Sequence, residues 1–197
     1  MYSQQHEDDI FVPLLPERGR FLEIGAFHPK CFSNSRALWE KGWGGVLIEP
    51  SPGPLKELVK EYGGLASRVQ VVCGAVGAGG PGEMQRLRLT DDAVSGNIDP
   101  AWDEKGGFYG YACYPQISIG WIKLHFGAYF DFLSIDTEGT SFSILREWML
   151  LTGKNPRPRA IVCEHNYKYA EIAAFMKQYD YRTVHVNDCN IILARNL

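Results

Sequence analysis

The feature that most constrains the fold of this chain is a regular alternation of short apolar runs with longer amphipathic segments. The runs have four or five residues rich in Val, Ile, Leu and Phe, which is typical of strands buried on both faces of a sheet. Five runs are predicted as strands, at residues 21–24, 45–48, 69–73, 132–135 and 160–163. Because parallel strands need a crossover between them, the alternation predicts an α/β fold with a mostly parallel sheet and helices on both faces.

The segments between these strands carry helix signals. Leu55, Leu58, Val59 and Tyr62, for example, recur at positions i, i+3, i+4 and i+7 before a Gly-Gly stop. Helices are also predicted around residues 37–39, 120–126, 141–152 and 172–179. At the end of the chain, residues 181–186 and 190–194 read as a hairpin, which adds an antiparallel strand and brings the sheet to seven strands.

The middle of the chain has a different character. Residues 83–89 alternate apolar and polar side chains, which suits an edge strand or extended segment, and residues 90–116 are rich in Gly, Pro, Asp and aromatic residues. We predict a long loop at 90–116 and interpret it as a substrate lid, the alternative being a loop that packs on the core. Its aromatic residues are Trp102, Phe108, Tyr109, Tyr111 and Tyr114.

Length, charge and cysteine usage bound the functional class. The 197 residues suit a single domain, 1–197, and a net charge of -3 offers no basic field for nucleic acid or an anionic membrane. The five cysteines are odd in number and lack C-x-x-C spacing, which argues against a disulfide framework or a structural zinc site. With an acidic start and no long apolar run, we expect a cytoplasmic protein.

Carboxylates follow four of the five predicted strands. Glu23 lies at the end of the first strand, Glu49 at the second, Asp136 with Glu138 after the fourth, and Glu164 with His165 after the fifth. In a doubly wound sheet the ligand binds beyond the carboxyl ends of the strands. Because carboxylates repel a pyrophosphate, this edge favours a ligand with hydroxyl groups and positive charge.

The turn after the first strand separates two cofactor classes. A dinucleotide fold would have G-x-G-x-x-G there, whereas Gly25 is followed by Ala26-Phe27-His28-Pro29-Lys30. Glu49 stands 24 residues beyond Gly25, where an acidic side chain can accept both hydroxyls of an adenosine ribose. These features favour S-adenosylmethionine, which has a ribose diol, an ammonium group and a sulfonium but no phosphate.

Together with several longer segments, these residues make the sequence resemble the FkbM-type methyltransferases. The matching segments are Ser3-Gln4 with Glu7-Asp8, FLEIGAFHP at 21–29, SNS at 33–35, GWGGVLIEPSP at 42–52, DFLSIDTEG at 131–139 and CEHNY at 163–167. They follow the family's order and span nearly the whole chain. The resemblance implies a Rossmann-like class I fold that uses S-adenosylmethionine, commonly to methylate hydroxyl oxygens of sugars or natural products. The chain departs from the usual family pattern at Phe27-His28-Pro29.

The resemblance also implies roles for individual residues. Glu23, Gly25 and Ala26 match the loop on the methionine side of the cofactor, Glu49 the ribose acid, and Asp136 the acid that faces the transferred methyl group. The strand end near adenine matches Cys73, Gly74 and Ala75. The same matched segments add Phe27, Ser35, Pro50 and Ser51 to the expected cofactor-binding residues.

Methylation of a hydroxyl group needs a base, and the candidates are His165, Asp136, Glu164 and Glu138. His165 is the first choice because an imidazole titrates near neutral pH, with Asp136 orienting the acceptor or the cofactor ammonium. The alternatives are a His165 held by backbone hydrogen bonds and a Glu138 that caps the following helix. For Glu49 the alternative is a surface acid beside a turn. For Glu23 it is a residue that fixes the turn through backbone amides.

Several functional alternatives stay open at this point. The acids and imidazole at the strand ends could bind a divalent metal, but no dense ligand spacing supports one and we predict none. The rival classes are a nicotinamide-dependent oxidoreductase, disfavoured by the missing glycines, and a non-catalytic S-adenosylmethionine-binding module. The expected partner is a small-molecule or glycan acceptor, whose pocket Gln4 and Glu7 are predicted to reach. Its identity and the oligomeric state stay open.

Overall fold

The computed structural model describes residues 2–64, 67–77, 83–90, 108–152 and 158–196. The strands are β1 Arg20–Ile24, β2 Gly44–Glu49, β3 Val69–Cys73, β4 Ala75–Val76, β5 Met84–Thr90, β6 Phe108–Ile117, β7 Phe132–Ile135, β8 Ala160–Glu164, β9 Tyr181–Val186 and β10 Asn190–Arg195. The helices are α1 Glu7–Phe11, α2 Arg36–Glu40, α3 Pro52–Tyr62, α4 Ile119–Phe126, α5 Ser141–Thr152 and α6 Tyr169–Lys177, with a 3-10 turn at Val12–Leu14.

Seven strands form the main sheet in the order β3-β2-β1-β7-β8-β10-β9. The first five strands in this order, β3, β2, β1, β7 and β8, run parallel. Strand β10 is antiparallel to both β8 and β9. The prediction of a mostly parallel seven-stranded sheet that closes with an antiparallel strand is therefore confirmed.

Both faces of the sheet are covered, which explains the continuous apolar runs. Successive residues of a strand point to opposite faces, so Phe21 packs with α1, α2 and α3 while Leu22 packs with α4, α5 and α6. The helices contribute apolar stripes: Leu58 and Tyr62 are the buried residues of α3, whose first turn contains Pro52 and Pro54. The prediction of helices on both faces is confirmed.

The second sheet corrects the prediction for residues 90–116. Strands β4 and β6 pair in parallel, and β5 pairs with β6 in antiparallel register from Met84↔Pro115 to Thr90↔Phe108. The predicted strand at 83–89 is confirmed, but a loop over the whole of 90–116 is wrong because 108–116 belong to β6. Residues 91–107, with Trp102, lie outside the described residues.

Two aromatic residues of β6, Tyr111 and Tyr114, differ in burial. Tyr114 is buried with Ala75 and Leu87, whereas Tyr111 is about half exposed. Tyr114 therefore packs within the second sheet, whereas the lid interpretation of residues 91–107 stays a prediction. The backbone N–H and C=O groups of β6 find their hydrogen-bond partners in β5, which the Gly- and Pro-rich composition of this segment does not indicate.

The register of the main sheet brings the predicted site residues to one edge. Ile24 pairs with both Ile48 and Ile135, so the residues that follow β1, β2 and β7 lie side by side. Ile135 in turn pairs with Cys163, which precedes Glu164. Within the described residues, no helix combines the length and apolar character needed to cross a membrane.

Candidate functional site

A cavity of about 280 Å³ opens at the carboxyl edge of the main sheet. It is lined by most of the residues predicted from the sequence: Glu23, Gly25, Phe27, Glu49, Pro50, Ser51, Gly74, Ala75, Asp136, Glu138 and Glu164. The sheet thus brings together residues from five strand ends. Four predicted residues, Ala26, Ser35, Cys73 and His165, are not among the described residues that line this cavity.

The turn after β1 is built around Gly25. Its backbone has φ +78°, and its N–H donates to the Ile48 carbonyl at 2.9 Å. A Cβ atom added to Gly25 would lie 1.6 Å from the carbonyl oxygen of Asp136. Glycine is therefore required for both conformation and space, and the turn passes directly against the segment that carries Asp136.

Glu23 anchors the loop that follows this turn. One carboxylate oxygen accepts a hydrogen bond from the Asn34 N–H at 2.9 Å, and the other accepts from the Ser35 hydroxyl. Burial raises the pKa of Glu23 to about 7, although these hydrogen bonds favour the charged form. Glu23 thus fixes the loop while it also lines the cavity, and Ser35 contributes by holding Glu23.

Glu49 is oriented by two backbone donors. Its carboxylate accepts from the Phe27 N–H at 3.0 Å and from the Ser51 N–H at 2.7 Å. The side chain is buried, and burial raises its pKa. Because each carboxylate oxygen has about two acceptor positions, Glu49 keeps acceptor capacity for a ligand in the cavity.

Three carboxylates converge after β7 and β8. Asp136, Glu138 and Glu164 can each place an oxygen within 4.8 Å of the others. Desolvation raises the pKa of Asp136 well above its usual range, and the charges of Glu164 and Glu138 raise it further. Such oxygens are also of the kind that binds Mg²⁺. Because Glu164 is far from Asp136 and Glu138 in the sequence, no local ligand spacing indicated the cluster. The absence of a bound metal stays a prediction.

The contacts of Glu164 fix its position within this cluster. Its Oε2 accepts from the Ser141 hydroxyl at 2.9 Å, and its Oε1 accepts from the Asn166 amide at 2.7 Å. Both donors are neutral, and they hold the carboxylate beside Asp136, with which Glu164 also shares a hydrogen bond.

His165 has a structural set of partners. Its Nδ1 accepts from the Tyr167 N–H at 3.0 Å, which leaves Nε2 to donate to the Asn187 carbonyl at 3.0 Å. The side chain is buried, and Asn166 and Tyr167 that follow it have φ of 44° and 63°. These contacts support the alternative in which His165 holds the backbone, because neither nitrogen is free to take a proton from an acceptor.

Two other predicted residues, Ala26 and Cys73, are not part of the cavity wall. Ala26 is buried in the core on the α1–α3 side of the sheet, and its N–H donates to the Ile48 carbonyl at 3.1 Å. Cys73 ends β3 with an exposed side chain. In both cases the neighbouring residue, Gly25 or Gly74, lines the cavity instead.

The sequence-based prediction missed several lining residues. Asn34, Asn166 and Tyr167 lie in the SNS and CEHNY segments, which were the available signal. Phe32, Leu87, Thr137, Asp188 and Cys189 also line the cavity. The prediction that Gln4 reaches the pocket is supported, whereas Glu7 is fully buried and accepts from the Asn187 and Asn190 amides at 2.9 and 2.8 Å.

The part of the chain that carries most of these strands and acids is similar to a known protein family. The sequence profile of the Methyltransferase FkbM domain matches residues 23–183. The chain belongs to the FkbM methyltransferase family. A search of curated proteins gives no match.

A solved structure supports the fold of this FkbM family member. The crystal structure of the methyltransferase FkbM from Methylobacillus flagellatus KT superposes with a TM-score of 0.54 and 15% sequence identity. The alignment covers 90% of the present chain and 44% of the other, so this chain spans less than half the length of that protein. The predicted resemblance and the Rossmann-like methyltransferase fold are confirmed.

Proposed function

We propose that this FkbM methyltransferase uses S-adenosylmethionine to methylate a hydroxyl oxygen of a sugar, a glycan or a natural product. The observation that carries the proposal is Glu49, a buried carboxylate at the end of β2 that is fixed by two backbone N–H groups at the cavity wall. A ribose diol is the ligand group that such an acceptor suits best.

The rest of the cavity fits the cofactor's charge. Six of the lining residues are acids, Glu23, Glu49, Asp136, Glu138, Glu164 and Asp188, and none of the described lining residues is Lys, Arg or His. This set suits a ligand with an ammonium and a sulfonium and disfavours the pyrophosphate of a nicotinamide cofactor. Gly25 would let the methionine end approach the backbone, and Gly74 with Ala75 would border the adenine.

When bound, the cofactor supplies an electrophilic methyl group on a positively charged sulfur. Glu49 and Gly25 would hold the cofactor so that the acceptor oxygen could bond to the methyl carbon while the carbon–sulfur bond breaks and leaves its electron pair on sulfur. The proton of the hydroxyl group must go to a base of the protein. We assign this role to Asp136, with Glu164 beside it, because desolvation and neighbouring charge raise the pKa of Asp136 and make it a better proton acceptor once ionised.

Calorimetric titration with S-adenosylmethionine and S-adenosylhomocysteine tests the cofactor assignment. Glu49→Ala should weaken binding of both ligands by about 2 kcal/mol, roughly 30-fold, because buried hydroxyl contacts to a charged acceptor are lost. Glu171→Ala, an exposed glutamate on α6, is the matched control and should bind like the wild type. Folded wild-type protein that binds neither ligand would contradict the proposal.

Turnover is a separate question from binding. Mass spectrometry of a panel of sugar and polyol acceptors, incubated with protein and S-adenosylmethionine, should show a gain of one methyl group on oxygen. Cofactor binding without transfer to any acceptor would favour the non-catalytic binding module instead.

A further inference from the structure

The cavity has a second end, on the opposite side of β1 from Glu49. The sheet order β2-β1-β7-β8-β10 places the segments after β7 and β8, and the turn before β10, progressively farther from β2. These segments supply Asp136, Glu164, Tyr167 and Asp188 to the cavity wall, and Gln4 joins them from the N-terminal segment. Because the cofactor proposal uses the Glu49 side, this second end is where the acceptor would lie.

The second end is negatively charged beyond what the cofactor would neutralise. S-adenosylmethionine has two positive groups and one carboxylate, so it adds one net positive charge, whereas three acids, Asp136, Glu164 and Asp188, line this end of the cavity. The Glu164 carboxylate has neutral donors, and that of Asp188 has no ion-pair partner among the described residues. In a concave site these charges attract a cation and repel an anionic acceptor.

An aromatic ring stands beside these acids. Tyr167 lines the cavity with 80% of its surface exposed, in a backbone conformation of φ 63° that His165 holds through its Nδ1. Ligand cavities are commonly lined by aromatic side chains, and a ligand in this cavity could cover the Tyr167 ring. Its face can bind both a cation and the apolar face of a sugar ring.

We propose that the acceptor is an amino-substituted polyol, such as an amino sugar, whose protonated amine lies against Asp188 and the ring of Tyr167. Its hydroxyl group would then face Asp136 and Glu164, where the proton is removed. This proposal rests on the proposed function, because it assigns the acceptor of the same site. It excludes phosphorylated, sulfated and uronic acid acceptors, which the wall of carboxylates repels.

Matched hexoses test the charge preference directly. D-glucosamine, D-glucose and D-glucuronate are titrated into the free protein and into protein saturated with S-adenosylhomocysteine, with binding followed by saturation-transfer NMR. Glucosamine should bind about fivefold more tightly than glucose, and glucuronate more weakly than either, since ion pairs open to water give effects of about this size. The preference should shrink in about 0.5 M salt because surface charges are screened.

Two variants locate the effect at the proposed residues. Asp188→Asn should lower glucosamine affinity about two- to fivefold and leave glucose unchanged. Tyr167→Ala should weaken both sugars, because the ring contacts the sugar face as well as the amine. Asp180→Asn is the control for charge, since Asp180 is exposed and lies outside the cavity-lining set.

The outcomes separate this proposal from the cofactor assignment. Equal binding of glucosamine and glucuronate, or an unchanged preference in Asp188→Asn, overturns the amine proposal even if S-adenosylhomocysteine binds well. An amine preference that depends on Asp188 in free protein supports it even if S-adenosylhomocysteine fails to bind, which would contradict the cofactor assignment alone.

Discussion

The carbonyl oxygen of Asp136 occupies the space where a side chain at Gly25 would begin, 1.6 Å from an ideal Cβ position. The Asp136 N–H also donates to the Ile24 carbonyl at 2.9 Å. The turn expected to face the cofactor and the acid expected to face the methyl group are therefore packed as one unit. A change in either would move the other.

Gly25→Ala should destabilise the protein by about 3 kcal/mol or more, because it adds a steric clash with Asp136 to an unfavourable backbone conformation. Gly127→Ala is the matched control: Gly127 has nearly the same φ, +79°, but an added Cβ would meet nothing within 4 Å. With a ψ of 173° its backbone is also unfavourable for alanine, so this variant should lose about 1–3 kcal/mol, without the cost of a clash. Urea unfolding measures both, and equal losses would show that the clash is relieved at no cost.

Glu23→Gln should change how stability depends on pH. The folded protein holds a proton on Glu23 up to about pH 7, whereas the unfolded chain releases it near the ordinary value of 4.5. The folded state thus binds more protons between these values, so wild-type stability falls as pH rises through this window. The shift corresponds to about 3 kcal/mol.

The glutamine variant has no such titration. Its stability relative to the wild type should therefore increase from pH 4.5 to pH 7.5, as measured by urea unfolding at several pH values. Glu171→Gln, an exposed change on α6, serves as the control. A constant difference between Glu23→Gln and the wild type across this range would mean that Glu23 is ionised throughout.

Asp136 should make the affinity for S-adenosylmethionine depend on pH. At low pH its carboxyl retains a proton, because desolvation and the neighbouring carboxylates raise its pKa, and a neutral group cannot attract the sulfonium. Affinity should therefore rise, by about tenfold, as the pH is raised far enough for Asp136 to ionise. S-adenosylhomocysteine lacks the sulfonium and should show a much smaller change.

The Asp136→Asn variant should bring the pH dependence of the two ligands together. Calorimetry at pH 5, 6.5 and 8 provides the comparison, with both ligands measured on the same preparations. If S-adenosylmethionine keeps its steeper pH dependence in this variant, another carboxylate responds to the sulfonium.

Glu7→Ala should destabilise the protein by about 3 kcal/mol, because it removes the acceptor for the side-chain amides of Asn187 and Asn190 and for the Gln5 N–H. Asp9→Ala on the same helix is the control, since Asp9 is exposed and, among the described residues, its carboxylate pairs with the exposed His6 side chain at 3.7 Å. Thermal unfolding compares the two. Similar melting temperatures for both variants would show that water replaces the Glu7 contacts.

The parts of the structure that sequence predicts well depend on local composition. Residues such as Leu22 and Ile48 are buried between two helical layers, so their strands appear as unbroken apolar runs. Glu49 and Asp136 were predicted as site residues because each directly follows such a run. The fold and the residues on the cofactor side of the cavity could therefore be predicted from the same pattern.

Long-range contacts account for what was not predicted. Strand β6 depends on pairing with β5, and no local pattern in its Gly- and aromatic-rich sequence indicates that partner. Asp188 enters the cavity because Gln5 and Asn187 hold its turn, and His165 is turned away from catalysis by the Asn187 carbonyl. The contacts of Gln5 with Asp188 and of His165 with Asn187 join residues far apart in the chain, so they become visible only in three dimensions.

The buried Glu7 has a consequence for biosynthesis. Its amide partner at position 187 lies 180 residues later in the chain, which at about 5–20 residues per second is synthesised roughly 10–40 seconds after it. Until then the Glu7 carboxylate has no amide from the last hairpin, so the N-terminal segment is held only by earlier partners such as Phe132, on which Phe11 stacks. The wall that includes Gln4 and Asp188 can therefore form only after translation has passed the last turn, so a nascent chain cannot bind an acceptor there.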